Sequence, residues 1–270
     1  MSGEEEISLA IQQLIRAATI HNFKKQLKWH KTLYQIGKPA ISKISSTVKS
    51  YHSSNLDLRT KHICISALMR LIHDMDESEA QILTDEIIKS GCETLISTHL
   101  KSINEFTLKN FDQYQIKGVT IFEERKISPS YSIRLILEKW FGNVPTEDLK
   151  EVDRIYIVSR KKQDYAGNYM PIFFSINVVW YGPSSRYHPL FWISVLFNEH
   201  TLYHEIGHHF HRHALGWKDP HKEKQANRYA SKIMAKSHPV LVSVLVPIVR
   251  ILKKASIRKA VKKIQEDAIT

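Results

Sequence analysis

Two histidines and one glutamate have the spacing of a metal site with a built-in base. His204, Glu205 and His208 spell H-E-x-x-H. Residues four apart on an α-helix project from the same face, so the two imidazoles can meet at one point. A catalytic zinc site uses three such protein ligands and keeps one position for a water whose pKa falls to about 7. In this motif the glutamate is the general base beside that water. The spacing therefore predicts zinc-dependent hydrolysis.

The residues before the motif predict a helix with a buried face. Residues 189–203 (PLFWISVLFNEHTLY) are strongly apolar and helical in pattern. A polar pair on a core helix needs partners or a metal, because burying an unpaired polar group is costly. Gly207 lies between the two histidines, where a glycine costs roughly 1 kcal/mol relative to alanine. We interpret it as a point of close approach by another element.

The third ligand is predicted to come from the next helix. A metzincin ligand is excluded, because the Gly and His of that pattern are replaced by His211 and Ala214. Residues 221–234 (HKEKQANRYASKIM) instead carry a carboxylate followed by a stripe of small or polar residues at helical spacing: Glu223, Ala226, Asn227 and Ala230. Such a stripe permits close packing on the motif helix, which would bring Glu223 to the metal. Asp219 and Pro220 are the start signals of that helix. His221 is the rival third ligand.

At this point the sequence resembles the zinc peptidases of the ImmA/IrrE type, which are close to the minimal gluzincin scaffold. That family's pattern reads H-E-[LI]-G-H followed by E-x-x-A-N-x-[FY]-A, and here the segments are HEIGH and EKQANRYA. The resemblance implies zinc held by His204, His208 and Glu223, with Glu205 catalytic. It also implies cleavage of one protein partner, such as a repressor or other regulator. The chain departs from the family downstream, where KIMAKSHP (232–239) replaces a Leu-Leu-Met-Pro-like ending.

Other polar residues near the motif have less specific interpretations. Three histidines that follow the second ligand are predicted to be surface or outer-sphere residues rather than ligands: His209, His211 and His213. An oxyanion in the reaction needs a donor besides the metal. The candidates for that donor, or for lining the cleft, are Tyr187, His188 and His200.

The first part of the chain is predicted to be entirely helical. An apolar stripe at helical spacing marks the first helix: Ile7, Ala10, Ile11, Leu14, Ile15 and Ala18. Gly37 suits a helix end and Pro39 the first turn of the next helix. Leu33 and Leu71 lie 38 residues apart in two similar units, near the roughly 40-residue period of HEAT repeats. Residues 1–102 are therefore either a HEAT-like stack that leans on the next domain or an ordinary helical bundle, and either would bind or position a partner.

The middle of the chain predicts a short sheet. Residues 114–126 alternate like strands, 128–145 read as an amphipathic helix, 151–159 as a strand, 164–171 as a turn and 172–180 as a second strand. Substrate peptides can add to a sheet edge through backbone hydrogen bonds. Residues 172–180 are the candidate for such an edge, and a central core strand is the equal alternative.

The net charge of +12 allows contact with anionic partners. Much of the excess lies in residues 250–264, which carry seven Lys or Arg and no acid. Without a nucleic-acid motif, we interpret this tail as a solvated face, with nucleic acid or an anionic membrane as alternative contacts. Residues 238–252 are apolar but shorter than the roughly 20 residues of a membrane span. The acidic N-terminus carries no secretory signal, and the two cysteines lack metal-ligand spacing. A cytoplasmic protein with free thiols is expected.

These observations predict an α+β protein in three parts: a helical module (1–102), a zincin-like metallopeptidase domain (103–236) with a short sheet on the H-E-x-x-H helix, and an apolar, then basic, helical segment (237–270). The predicted function is a zinc endopeptidase with Glu205 as base. The alternative is a regulatory or adaptor protein that has a zinc site and binds its partner through the helical module.

Overall fold

Helices fill the first part of the chain, as predicted. The computed structural model describes residues 3–159, 165–213 and 219–240. Its first six helices are α1 (Gly3–Thr19), α2 (Phe23–Ile36), α3 (Lys38–His52), α4 (Leu58–Met75), α5 (Glu77–Lys89) and α6 (Thr94–Glu105). The predicted apolar stripe of α1 is buried throughout.

The ends of these helices follow from local chemistry. Asn22, Asp57 and Asp76 cap α2, α4 and α5 with side chains that accept hydrogen bonds from backbone N–H groups of the first turn. Gly37 ends α2 in a positive-φ conformation (φ 74°), and Pro39 lies in the first turn of α3. Both of these boundaries confirm the sequence prediction.

Helix α4 is the centre of the helical region. Every residue from His62 to His73 is buried, and α4 contacts α1, α2, α3, α5 and α6. A helix that is buried all round is a core helix rather than a surface one. Of the two predicted arrangements, this geometry favours a bundle around α4.

A five-stranded mixed sheet follows the helical region. The strands are β1 (Phe111–Ile116), β2 (Val119–Glu124), β3 (Arg154–Ser159), β4 (Gly167–Met170) and β5 (Ser175–Trp180). Their spatial order is β1-β2-β3-β5-β4. The pair β1–β2 is an antiparallel hairpin, β2–β3 and β3–β5 are parallel, and β5–β4 is antiparallel. Short 3₁₀ helices lie at Leu108–Asn110, Thr146–Leu149 and Pro171–Phe173.

Two predictions about this sheet are wrong. Residues 164–171 were expected to form a turn, but Gly167–Met170 is a strand. Residues 172–180 were the candidate for the sheet edge, but β5 lies between β3 and β4 and is buried at every position. The alternative, a central core strand, is correct, and β4 is the edge strand on that side of the sheet.

Helices cover both faces of the sheet. On β3, Tyr156 and Val158 belong to one core with the N-terminal helices, whereas Ile155 and Ile157 belong to a second core with the later helices. Those later helices are α7 (Ile133–Asn143), α8 (Phe191–Phe210) and α9 (Pro220–Ser237). The alternation of strand side chains between faces thus builds three layers. The chain is α+β, as predicted.

A buried charge cluster fastens the helical region to the sheet. The Asp74 carboxylate of α4 accepts from Arg154 of β3 (2.8 Å) and pairs with Arg70 (3.1 Å). Arg70 also donates to the Tyr156 hydroxyl at 2.6 Å. Burial alone would raise the pKa of Asp74, but the Arg154 and Arg70 guanidiniums hold it well below its usual range. The helical region therefore shares both a core and an ion network with β3.

Among the described residues, no helix is long and apolar enough to cross a membrane. The predicted basic tail at 250–264, and most of the apolar segment at 238–252, lie outside the described residues.

Candidate metal centre

Helix α8 presents the two motif histidines on one face. It runs from Phe191 to Phe210, and its buried residues include Leu202, Tyr203 and Ile206 on the side that packs on the sheet. His204 and His208 are each partly exposed, with side chains 16 % and 13 % accessible. The predicted helix with a buried face is present, and both histidines are partly exposed on it.

Helix α9 lies very close to α8 at Gly207. A Cβ at position 207 would come within 3.0 Å of the Ala226 Cα and carbonyl oxygen and 3.1 Å of the Tyr229 Cβ. Ala226 and Ala230 are fully buried at this contact, as the small-residue stripe predicted. Asn227, the fourth member of that stripe, is exposed instead. The glycine is therefore needed for helix–helix approach, as the sequence indicated.

This approach brings Glu223 to the two histidines. The His204 Nε2 lies 3.3 Å from Glu223 Oε2, the His208 Nε2 lies 3.5 Å from Glu223 Oε1, and the two Nε2 atoms are 3.1 Å apart. Donor atoms bonded at about 2.0–2.1 Å around a tetrahedral ion lie about 3.3–3.4 Å from one another. The three residues thus have the spacing of a metal-ligand set, and they are the group that could hold a metal in the described part of the chain.

The chemistry of the donors also suits a divalent ion. Burial, followed by the neighbouring His204 and His213, lowers the pKa of His208 to about 4. A neutral imidazole is the form that binds a metal. Two imidazoles and one carboxylate are a donor set of catalytic zinc sites. The Glu223 side chain is 43 % accessible, so solvent and ligands can approach this donor.

Glu205 lies behind the donors, against the edge strand. Its residue is only 6 % exposed. Burial, and then the Glu223 charge, raise its pKa to about 8, while a hydrogen bond from the Tyr169 backbone N–H acts in the opposite direction. A Cβ at Gly167 would come within 2.7 Å of the Glu205 Oε1 and of the Thr201 Cγ2. Strand β4 is therefore pressed against α8 beside the glutamate, and only glycine fits there.

The histidines after His208 have separate roles. His209 is buried, although its sequence position suggested a surface or outer-sphere residue. Its ring contacts the Lys150 carbonyl (2.6 Å) and the Tyr169 hydroxyl (3.1 Å), which links α8 to β4. His211 is exposed. His213 contacts His208 through their Nδ1 atoms at 2.7 Å, as an outer-sphere residue would.

The structure separates the remaining candidates. His221, the rival third ligand, is exposed in the first turn of α9 and is not part of the donor cluster. His200 lies one turn before His204, with ring centroids 6.4 Å apart, and is partly buried. Tyr187 is 89 % exposed, and the exposed His188 accepts from the Leu190 backbone N–H. Of the three oxyanion or cleft candidates, His200 alone contacts a donor residue in the described structure.

Sequence reasoning missed Gln225 and β4. Gln225 Oε1 lies 2.8 Å from His213 Nε2, and its position two residues after Glu223 gave no signal. Strand β4 was missed because GNYM, with its Gly and Asn, has turn composition.

No protein-family model, curated protein or solved structure matches the chain.

Proposed function

We propose that this protein is a zinc-dependent endopeptidase that cleaves a protein substrate. The observation that carries the proposal is the convergence of the His204, His208 and Glu223 donor atoms at 3.1–3.5 Å, next to the buried carboxylate of Glu205. A purely structural site has no need for such a base. The resemblance of the HEIGH and EKQANRYA segments to ImmA/IrrE-type peptidases supports the same reaction and suggests a regulatory protein as substrate.

The residues have distinct tasks in this proposal. His204, His208 and Glu223 would hold the ion, which when bound supplies a Lewis acid and a water of pKa about 7. Glu205 takes the proton of the attacking water and passes it to the leaving amine. Its low accessibility keeps bulk water away from that proton, and the Tyr169 backbone N–H orients the carboxylate.

Strand β4 is the proposed docking edge for the substrate backbone. It is the last strand on its side of the sheet, paired only with β5 among the described strands. Gly167 and Tyr169 hold it against Glu205. A peptide added to a sheet edge gains backbone hydrogen bonds without sequence specificity, so this edge would present a scissile bond to the base.

The decisive test is a comparison of metal content and hydrolysis. The purified protein should bind one zinc per chain and cleave members of a panel of unstructured proteins. Glu205→Gln should keep the zinc and lose cleavage, since the nearly isosteric amide cannot accept the proton. His221→Ala, an exposed histidine of the same region, is the matched control and should change neither.

Three outcomes would contradict the proposal. Zinc binding with cleavage unaffected by Glu205→Gln would remove the glutamate from the reaction. Zinc binding without cleavage of any substrate in the parent would favour the adaptor alternative. Loss of zinc in His221→Ala but not in Glu223→Ala would overturn the ligand set itself.

A further inference from the structure

Three side chains form a hydrogen-bonded series that ends on His208, the second of the two proposed metal ligands on α8. The Gln225 Oε1 lies 2.8 Å from His213 Nε2, and the His213 Nδ1 lies 2.7 Å from His208 Nδ1. His213 is only 8 % exposed. The other nitrogen of His208, Nε2, is the atom that faces His204 and Glu223. The hydrogen-bonded series therefore connects α9 to the Nδ1 atom of His208, the ring nitrogen that does not face the other two proposed ligands.

The end of α8 is shaped to make this contact. The helix stops at Phe210, Arg212 takes a left-handed conformation (φ 54°), and the His213 backbone N–H donates to the His208 carbonyl at 3.0 Å. This turn folds the chain back, so that a residue five positions after His208 returns to its ring. A straight helix would carry His213 away from that ring.

The hydrogen-bonded series determines which ring nitrogens of His213 and His208 carry a hydrogen. An amide oxygen can only accept, so His213 Nε2 must carry a hydrogen and His213 Nδ1 is then an acceptor. His208 Nδ1 must in turn donate to it. A neutral His208 with its hydrogen on Nδ1 has its free lone pair on Nε2, the atom that faces the other donors.

We propose that His213 is a positioning residue that, held by Gln225, sets the tautomer and ring orientation of His208 for metal binding. This inference rests on the proposed zinc site. His204 offers a contrast, because its Nδ1 is buried without a hydrogen-bond partner among the described residues. The outer-sphere support of this centre is therefore concentrated on His208. Metal-bound histidines commonly donate their second N–H, and loss of that partner costs about 10–100-fold in metal affinity.

Zinc affinity, measured by competition with a chromophoric chelator, tests the His213 contact. His213→Ala should weaken zinc binding by about 10–100-fold. His213→Asn should recover part of this loss, because the asparagine Oδ1 can accept where the His213 Nδ1 does. His211→Ala removes a neighbouring exposed histidine and should leave the affinity unchanged. Urea unfolding of each metal-free variant checks that the fold is retained.

Substitutions at Gln225 test the direction of the hydrogen bonds. Gln225→Met removes the acceptor and should weaken zinc binding. Gln225→Glu replaces an amide with a carboxylate, which can only accept and should bind zinc at least as tightly as the parent. Lys224→Gln, at an exposed neighbouring position, changes the net charge by the same amount and controls for simple attraction of the cation. The assigned hydrogen-bond directions would be overturned by two results together. Gln225→Glu would raise zinc affinity no more than Lys224→Gln does, and Gln225→Met would leave zinc affinity unchanged.

The tautomers of His208 and His213 can be measured directly, and a purely structural role of His213 would not require any particular tautomer. Histidine ¹⁵N–¹H correlation spectra of the metal-free parent should show the hydrogen of His208 on Nδ1 and that of His213 on Nε2. The reverse pair of tautomers would overturn the inference, whether or not zinc binds. A parent protein that binds no zinc would instead overturn the proposed function. If the parent binds zinc and His213→Ala binds it equally tightly, this inference alone would be overturned.

Discussion

Gly207→Ala should loosen the α8–α9 contact on which the proposed metal centre depends. Alanine in a helix is favoured over glycine by roughly 1 kcal/mol. Here, however, the added methyl would lie 3.0 Å from two backbone atoms of Ala226 and 3.1 Å from the Tyr229 Cβ. Backbone cannot rotate away as a side chain can, so α9 must shift by a few tenths of an ångström. Overpacking of this kind costs about 1–3 kcal/mol, which leaves a net destabilisation of up to about 2 kcal/mol.

Gly142→Ala provides the matched control. Gly142 also lies in a helix, near the end of α7, but nothing lies within 4 Å of the position its Cβ would occupy. The same chemical change there should stabilise the protein by up to about 1 kcal/mol. Because the helix preference is common to both variants, the difference between them, about 1–3 kcal/mol, reports the crowding at Gly207.

Urea unfolding of the metal-free variants and zinc titration of the folded ones measure the two consequences. Glu223 lies one turn before Ala226 on α9, so a shift of that helix moves the carboxylate relative to the histidines. We therefore expect Gly207→Ala, and not Gly142→Ala, to bind zinc more weakly than the parent. Equal stabilisation by both substitutions, with unchanged zinc affinity, would refute the role assigned to the close approach.

Two further predictions concern the join between the helical region and the sheet. Deleting residues 1–102 should leave a chain without cooperative unfolding, because one face of β3 loses its core; a soluble, zinc-binding remainder in circular dichroism and metal analysis would contradict this. Asp74→Asn leaves the buried Arg70 without a counter-charge and leaves Arg154 with only the Asp153 carboxylate, at 2.8 Å. It should cost about 3 kcal/mol in urea unfolding at neutral pH, the lower end of the range for breaking a buried ion pair. The folded pKa of Asp74 is depressed, so its contribution is present above the ordinary Asp value of about 3.9 and is lost as the pH falls below it. The stability gap between parent and variant should therefore narrow in acid, and a gap independent of pH down to the folded pKa would count against the ion network.

Local signals made the helices and the donor set predictable. The i, i+4 spacing of His204 and His208 needs only one helix to become a shared face, and Asp219-Pro220 marks where the next helix begins. Glu223 could be preferred over His221 because a small-residue stripe follows it. In each case the decisive residues lie within a few helical turns of one another. Over so short a stretch, the separation of two residues along the sequence largely determines their separation in space.

Contacts between distant segments were not predictable in the same way. The chain order of the strands is β3, β4, β5, but their spatial order is β3, β5, β4. Strand β5 returns to pair in parallel with β3, and β4, which precedes it in the chain, pairs antiparallel with the other side of β5. Gly167 and Asn168 disfavour a strand, and Tyr169 alone of residues 167–170 favours one. They form a strand through pairing with β5 and packing on α8, so the prediction of a turn at 164–171 was wrong and the edge strand was sought at 172–180.

The position of β4 connects the N-terminal helices to the proposed chemistry. Strand β4 is held by β5, β5 by β3, and β3 by the Arg70 and Asp74 side chains of α4. Strand β5 and the Arg70 side chain are buried and β4 is partly buried, and none of these contacts involves a proposed ligand. The helical region therefore fixes the sheet from which the edge strand meets Glu205. A change in α4 should consequently affect the orientation of the Glu205 carboxylate more than the positions of the three proposed ligands. Helices α8 and α9 bring those ligands together on the opposite face of the sheet.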